Sequence, residues 1–187
     1  MSIQYDVIII GAGAAGMMSA IEAGKRGRKV LLVDHYKKIG EKIRISGGGR
    51  CNFTNTNTNP SKFLSQNPKF VRSALSQYTQ NDFINLINKY EIKFHEKKLG
   101  QLFCDHSAQQ IVEMLLKECE LANVTILKEF IIKNVDKDND QYLVSTQTDK
   151  YSSQSLIIAT GGLSVPKIGA TSFGYEIAKK FDHNIIE

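Results

Sequence analysis

Asp6-Val7-Ile8-Ile9-Ile10-Gly11-Ala12-Gly13-Ala14-Ala15-Gly16 is a short apolar strand that empties into G-x-G-x-x-G, with a helical pattern directly behind it. The spacing has a mechanical meaning. Gly11 permits the tight strand-to-helix turn, Gly13 lets the main chain approach a pyrophosphate, and Gly16 lets the helix pack closely on the sheet. The helix aims its free N–H groups and its positive dipole end at the phosphates. A second apolar run, Val30-Leu31-Leu32-Val33, ends in Asp34, eighteen residues past Gly16. An acidic side chain there accepts hydrogen bonds from an adenosine ribose. An ordinary βαβ turn needs neither the glycine spacing nor the carboxylate, so dinucleotide binding is the stronger reading.

A chain of 187 residues can bury one good core and a small appendage. Its 42% hydrophobic and 23% charged content is ordinary for a soluble globular protein. No basic n-region precedes a long apolar run, and no apolar stretch has bilayer-spanning length, so a cytoplasmic, non-membrane protein is expected. Three cysteines, Cys51, Cys104 and Cys119, are odd in number and form no C-x-x-C, which argues against a disulfide framework and a zinc site. Net charge is +5, from 24 basic and 19 acidic residues. The basic residues read as dispersed, with small knots at Lys25–Lys29 and Lys37–Arg44. A solvated surface plus an anionic cofactor accounts for that balance, so it argues against a nucleic-acid partner.

Along the chain, residues 3–10 read as a strand, 14–26 as a helix capped by Gly27, and 30–34 as the second strand. Asn55 to Ser61 is a polar loop. Thr79-x-x-Asp82 resembles a capping box and opens a helix to about Tyr90, and a hairpin is expected around Lys97–Gly100. Ser107-x-x-Gln110 starts another helix, whose apolar stripe is Ala108, Ile111, Val112, Leu115, Leu116 and Cys119. Val124–Leu127, Phe130–Val135, Tyr142–Thr146 and Tyr151–Ala159 then read as strands, with turns at Asp136–Gln141 and Thr148–Lys150. The fold class is α/β: a parallel sheet with a three-stranded antiparallel meander as crossover. One Rossmann-like domain over 1–187 is expected, with a helical and hairpin excursion over 51–104.

Three consecutive glycines in Ser46-Gly47-Gly48-Gly49-Arg50-Cys51-Asn52 are disfavoured in a helix or strand interior. Their use is main-chain N–H exposure or close approach, as in an anion nest, with a surface loop as the bland alternative. Arg50 then neutralises a pyrophosphate or a substrate carboxylate, or is a solvated charge, and Lys42 is a weaker candidate of the same kind. Cys51 invites a redox role, but with no C-x-x-x-x-C partner a packed thiol is preferred. His106 and His183 lack neighbours that suggest metal or triad chemistry.

The glycine turn, the acidic end of the second strand, the late antiparallel excursion and the closing Ala159-Thr160-Gly161-Gly162 together resemble the flavoproteins with two dinucleotide-binding domains. Ile45 to Asn52 with Thr54-Asn55 is similar to the I-S-G-G-G-R-C-N-x-T-N signature of the BaiN-like family, also called aminoacetone-oxidase-like FAD-dependent oxidoreductases. Ala159-Thr160-Gly161-Gly162-Leu163-Ser164-x-Pro166, then Gly169-Ala170-Thr171 and Gly174-Tyr175, resembles that family's second block. Phe103-Cys104 departs from the family's usual Phe-Pro.

The resemblance implies an FAD-dependent oxidoreductase. Gly11, Gly13, Ala14, Ala15 and Gly16 would line the pyrophosphate, and Asp34 would hold the ribose. Ile132 would offer main chain to the adenine, with an ordinary strand residue as the equal alternative. The isoalloxazine would lie near Ser46–Asn52 and Thr160–Gly162. Asp34 alone fits NAD equally well, so FAD rests on the later motifs. A small-molecule substrate and NAD(P)H as reductant are implied, and no catalytic acid or base is assigned. Family members are longer, so a substrate domain and a flavin-completing segment are expected after Glu187, with the missing half or an oligomer partner completing the protein. The alternatives are an FAD-dependent tRNA-modifying enzyme and a non-catalytic nucleotide-binding fragment.

Overall fold

The computed structural model describes residues 2–164 and 169–186, so Pro166 of the second block lies outside the described residues. In chain order the first elements are β1 (Ile3–Ile10), α1 (Ala14–Lys25), β2 (Val30–Val33), α2 (Glu41–Ile45), β3 (Asn52–Asn55), α3 (Arg72–Gln77), α4 (Gln80–Lys89), β4 (Phe94–Glu96) and β5 (Gln101–Cys104). Then come α5 (Gln109–Leu121), β6 (Thr125–Leu127), β7 (Asn134–Asp138), β8 (Gln141–Ser145), β9 (Lys150–Ile158) and α6 (Phe173–Lys180). The chain divides into two units, residues 1–42 with 115–187, and residues 43–114.

The first unit is built on a six-stranded sheet in the order β6-β2-β1-β9-β8-β7. β6, β2, β1 and β9 run parallel, while β7, β8 and β9 form an antiparallel meander. This is the Rossmann-like α/β arrangement that the apolar runs foretell: a parallel strand covered on both faces reads as continuous hydrophobic sequence, not as an alternation. Ile8, Ile9, Leu31, Leu32 and Val33 are fully buried. One face packs Ile8, Ile10, Leu31 and Val33 against Phe130, Val135, Val144, Tyr151 and Ile177. Phe130 and Tyr151 meet edge to face, with ring centroids 5.2 Å apart.

β9 serves both halves of this sheet. Its first residues pair antiparallel with β8 (Tyr151 opposite Val144), and its whole length pairs parallel with β1 (Ile10 opposite Ile158). The strand expected over Phe130–Val135 begins instead at Asn134, because Phe130 turns inward to the core and its amide bonds the Asp34 carbonyl at 2.9 Å. The expected turn at Asp136–Gln141 shrinks correspondingly to Asn139 and Asp140, with Asn139 left-handed at φ 53°.

The second unit holds a three-stranded antiparallel sheet, β3-β5-β4, which supplies the hairpin expected at Lys97–Gly100. Asn55, read from sequence as the start of a loop, ends β3. Phe53 packs against Phe94 and Phe83, with centroids 5.4 and 6.1 Å away. α4 opens on a reciprocal capping box: the Asp82 amide donates to Thr79 Oγ1 at 3.3 Å and the Thr79 amide donates to Asp82 Oδ2 at 2.7 Å. The helix expected to start at Ser107 is capped there by one side-chain bond. The Gln109 amide donates to Ser107 Oγ, and Gln110 Oε1 is buried without a hydrogen-bond partner.

Within the first unit, α1 is tied to residues 115–121 of α5. Lys25 Nζ lies 2.8 Å from Glu118 Oε2, and the Glu118 side chain is 2% exposed. Removing the lysine takes from this buried carboxylate a charged partner. Lys25→Met is therefore expected to lower unfolding free energy by about 1–3 kcal/mol in urea titrations. Adding Glu118→Gln in that background is expected to recover part of the loss.

Candidate functional site

The turn after β1 is shaped by contacts that a side chain would break. Gly11 has φ +105°, and a Cβ on it would lie 2.5 Å from the Ala159 carbonyl oxygen. A Cβ on Gly16 would lie 1.8 Å from the Gly11 carbonyl oxygen. Both glycines answer to packing of the strand, the helix and the neighbouring β9 end. Gly13 does not. Its φ of −83° suits any residue, and a Cβ there would meet nothing within 4 Å. The space beside it is open at the point where α1 begins.

That helix start carries no side-chain cap and no acidic residue in its first turn, and Ala14 and Ala15 are exposed. Orphan N–H groups and the positive dipole end therefore face solvent, the arrangement that binds phosphate. Asp34 completes the geometry. Its Oδ2 accepts from the Ala12 amide at 2.7 Å and its Oδ1 from the Tyr36 amide at 2.8 Å. Two main-chain donors fix the carboxylate, and each oxygen keeps a second lone pair for an incoming hydroxyl. His35 Nδ1 stands 3.5 Å from Oδ1.

Gly11, Asp34, Phe130, Ile132 and Thr160 border a cleft of about 290 Å³. Sequence reasoning missed much of its far wall: Thr171, Ser172, Phe173 and Glu176, at and within the start of α6. The signal available in the sequence was the Gly169-Ala170-Thr171 block. Thr160, Gly161 and Gly162 also border a larger open cleft of about 750 Å³ with Tyr142, Tyr175 and His183. Gly161 is left-handed, φ +73°, with open space at its Cβ position. Lys42 Nζ donates to Ser164 Oγ at 2.5 Å and, as an exposed ammonium, keeps two further N–H donors.

In the other unit, Ser46–Asn52 is an anchored turn and not a loose loop. Gly47, Gly48 and Gly49 are consecutive left-handed residues with φ 58°, 68° and 86°. A Cβ on Gly47 would lie 2.6 Å from Phe103 Cε1, whereas Gly48 faces open space. The Cys51 amide donates to the Ser46 carbonyl, the Ala108 amide to the Gly49 carbonyl and the Cys104 amide to the Arg50 carbonyl, at 3.0, 2.7 and 2.9 Å. Arg50 is exposed. The Asn52 side-chain amide, oriented to satisfy both acceptors, donates to the Thr54 and Leu102 carbonyls, so it braces the sheet.

Cys51 sits beside this turn, buried and with φ 53°. Burial pushes its thiol pKa up, against a lowering hydrogen bond with Ser46. Cys104 is pushed up to about 12, by burial first and then by Cys51 and Asp105. Cys119 also rises to about 12, mainly by burial, and its Sγ lies 3.8 Å from the Met17 carbonyl. A redox thiol needs the opposite shift. Among the described residues no group of three or more His, Cys, Asp and Glu could hold a metal, and no helix is long and apolar enough to cross a membrane.

A parallel sheet with an open, uncapped glycine turn and a main-chain-fixed carboxylate at a nucleoside-sized cleft defines a Rossmann-type dinucleotide-binding domain. The chain belongs to the family described as HI0933-like protein Rossmann domain, whose model matches residues 5–187. It is 54% identical over 183 residues to a ribosomal RNA dihydrouridine synthase of Escherichia coli, covering 98% of this chain and 46% of that protein. It is 24% identical over 180 residues to a 3-dehydro-bile acid delta(4,6)-reductase of Clostridium scindens, covering 95% of this chain and 44% of the reductase. The fold is shared with a ferredoxin-flavin thioredoxin reductase of Clostridium acetobutylicum: TM-score 0.53, 20% identity, 87% of this chain and 39% of the other. The chain thus spans about half the length of the curated relatives it matches.

Two outcomes separate the glycines. Gly13→Val is expected to keep the melting temperature within a few degrees while weakening FAD affinity at least tenfold, read by fluorescence titration. Gly16→Val is expected to fail to fold. The thiols give a pH prediction. Folded-state pKa values raised above the unfolded ones leave the folded thiols protonated while unfolded ones ionise, so their contribution is whole below about pH 8.5 and is lost as pH climbs toward 12. Urea midpoints measured from pH 8 to 11 are expected to fall, and to fall less in Cys104→Ala.

Proposed function

We propose that the protein carrying this chain is an FAD-dependent reductase that converts uridine in ribosomal RNA to dihydrouridine. The observation that carries the cofactor half is the open space at Gly13 beside an uncapped helix start, in line with the fixed Asp34 carboxylate. The residues fit the ADP portion common to FAD and NAD. Membership in this family and the fold shared with a flavin reductase favour FAD. The substrate half is supported by 54% identity across nearly the whole chain to a ribosomal RNA dihydrouridine synthase.

The chemistry is consistent. Saturating the C5–C6 bond of uracil adds one hydride and one proton. Reduced flavin, when bound, supplies the hydride, and NAD(P)H is the reductant we assign to recharge it. Amides of Gly13 to Gly16 would hold the pyrophosphate, Asp34 would take the ribose hydroxyls, and Ile132 would flank the adenine. Thr160–Gly162 would border the flavin end, as the family resemblance implies. A second reading, reduction of a free small molecule, is favoured by the likeness to the bile acid reductase, at less than half the identity.

The test is nucleoside mass spectrometry of ribosomal RNA from cells lacking the gene. Dihydrouridine is expected to vanish, to return with the wild-type gene, and to stay absent with Gly13→Val. Unchanged dihydrouridine in the deletion, with a yellow purified protein, would remove the RNA substrate and leave the flavoprotein.

A further inference from the structure

The basic charge of this chain is not spread evenly. Residues 43–114 hold nine of the basic and five of the acidic residues, a net of +4 out of the +5 of the whole chain. Between Glu41 and Asp82 there is no acidic residue at all, while Lys42, Arg44, Arg50, Lys62, Lys69 and Arg72 fall in that interval. Within it lies a near-repeat, Asn59-Pro60-Ser61-Lys62-Phe63 and Asn67-Pro68-Lys69-Phe70. Each copy sets a lysine beside a phenylalanine.

Every residue from 61 to 70 is exposed, and Arg72 is exposed beside them. Phe63 is 42% exposed, Leu64 95% and Phe70 78%. These are large apolar side chains held out in solvent on a hydrogen-bonded main chain. Asn59 Oδ1 accepts from the Ser61 amide at 3.1 Å and Asn67 Oδ1 accepts from the Lys69 amide at 3.2 Å, so an asparagine side chain braces each copy. The Phe70 amide closes the second turn on the Asn67 carbonyl at 3.0 Å. Pro60, Phe63, Leu64, Pro68 and Arg72 border an open cleft of about 360 Å³, wide enough to seat a nucleobase.

We propose that this surface docks unpaired RNA, with Lys62, Lys69 and Arg72 on phosphates and Phe63 and Phe70 stacked on bases. The inference rests on the ribosomal RNA reading and names the part of the chain that meets the substrate. Braced aromatics interleaved with cations are what single-stranded RNA requires, since splayed bases stack on rings while the backbone is neutralised. An anionic membrane would call for a longer amphipathic helix than the six-residue α3 that follows the segment.

The experiment uses the whole protein and a fluorescein-labelled 20-nucleotide oligouridylate, with anisotropy read at several salt concentrations. Lys62→Ala/Lys69→Ala/Arg72→Ala is expected to weaken binding at least tenfold and to flatten the log K against log salt slope by about 2. Phe63→Ala/Phe70→Ala is expected to weaken binding roughly tenfold with the slope unchanged. Both variants are expected to keep their FAD content and melting temperature. Unaltered RNA affinity in both variants would overturn the proposal. So would variants that lose binding to phosphatidylglycerol vesicles with their RNA affinity intact. The two readings fail separately. Dihydrouridine lost on gene deletion with both variants binding RNA normally removes the surface alone. Affinity lost in the variants with dihydrouridine unchanged on deletion removes the enzymatic reading alone.

Discussion

The Ala12 amide and the Asp34 carboxylate meet at 2.7 Å, and this bond joins the two strand ends that any adenine dinucleotide must span. A charge-assisted bond of this kind contributes about 1.5–3 kcal/mol. Its larger effect is orientation. With Tyr36 donating to the other oxygen, the carboxylate cannot rotate away from the cleft. The turn it holds then delivers α1 with its first amides uncovered. Gly11 and Gly16 bring the strand, the turn and β9 into contact that no Cβ would permit. Gly13 alone is left without such a task, and the empty volume beside it is what remains for a ligand.

Much of this was legible in sequence because the signals are local. The run Asp6–Ile10, the glycine spacing and the Val30–Asp34 strand sit within 29 residues, and the sheet pairs those strands in the expected parallel sense. The Thr79 and Asp82 cap likewise spans only four residues. The meander was read correctly in kind but not in its first boundary. Phe130 and Ile132 look like strand residues by composition, yet tertiary context makes one a core plug and the other a cleft wall.

The illegible parts depend on partners far along the chain. Asn52–Asn55 is too polar to announce a strand, and becomes one only by pairing with Gln101–Cys104. That pairing sets Asn52 opposite Phe103 and so brings Cys51 beside Cys104, a proximity that no spacing rule reveals. The left-handed glycines at 47 to 49 were foreseeable as a conformational need, but their anchorage to Ala108 and Phe103 was not. Counting charge over the whole chain also concealed the acid-free stretch between Glu41 and Asp82, because the acidic residues elsewhere average it away.

The central claim is that dinucleotide phosphates rest on the first amides of α1, and hydrogen–deuterium exchange on the whole protein with and without ADP tests it most directly. Slower exchange confined to residues 11–17 and the Asp34 region on adding ADP is the predicted result. Exchange there that stays unchanged while ADP protects another part of the chain would contradict the account.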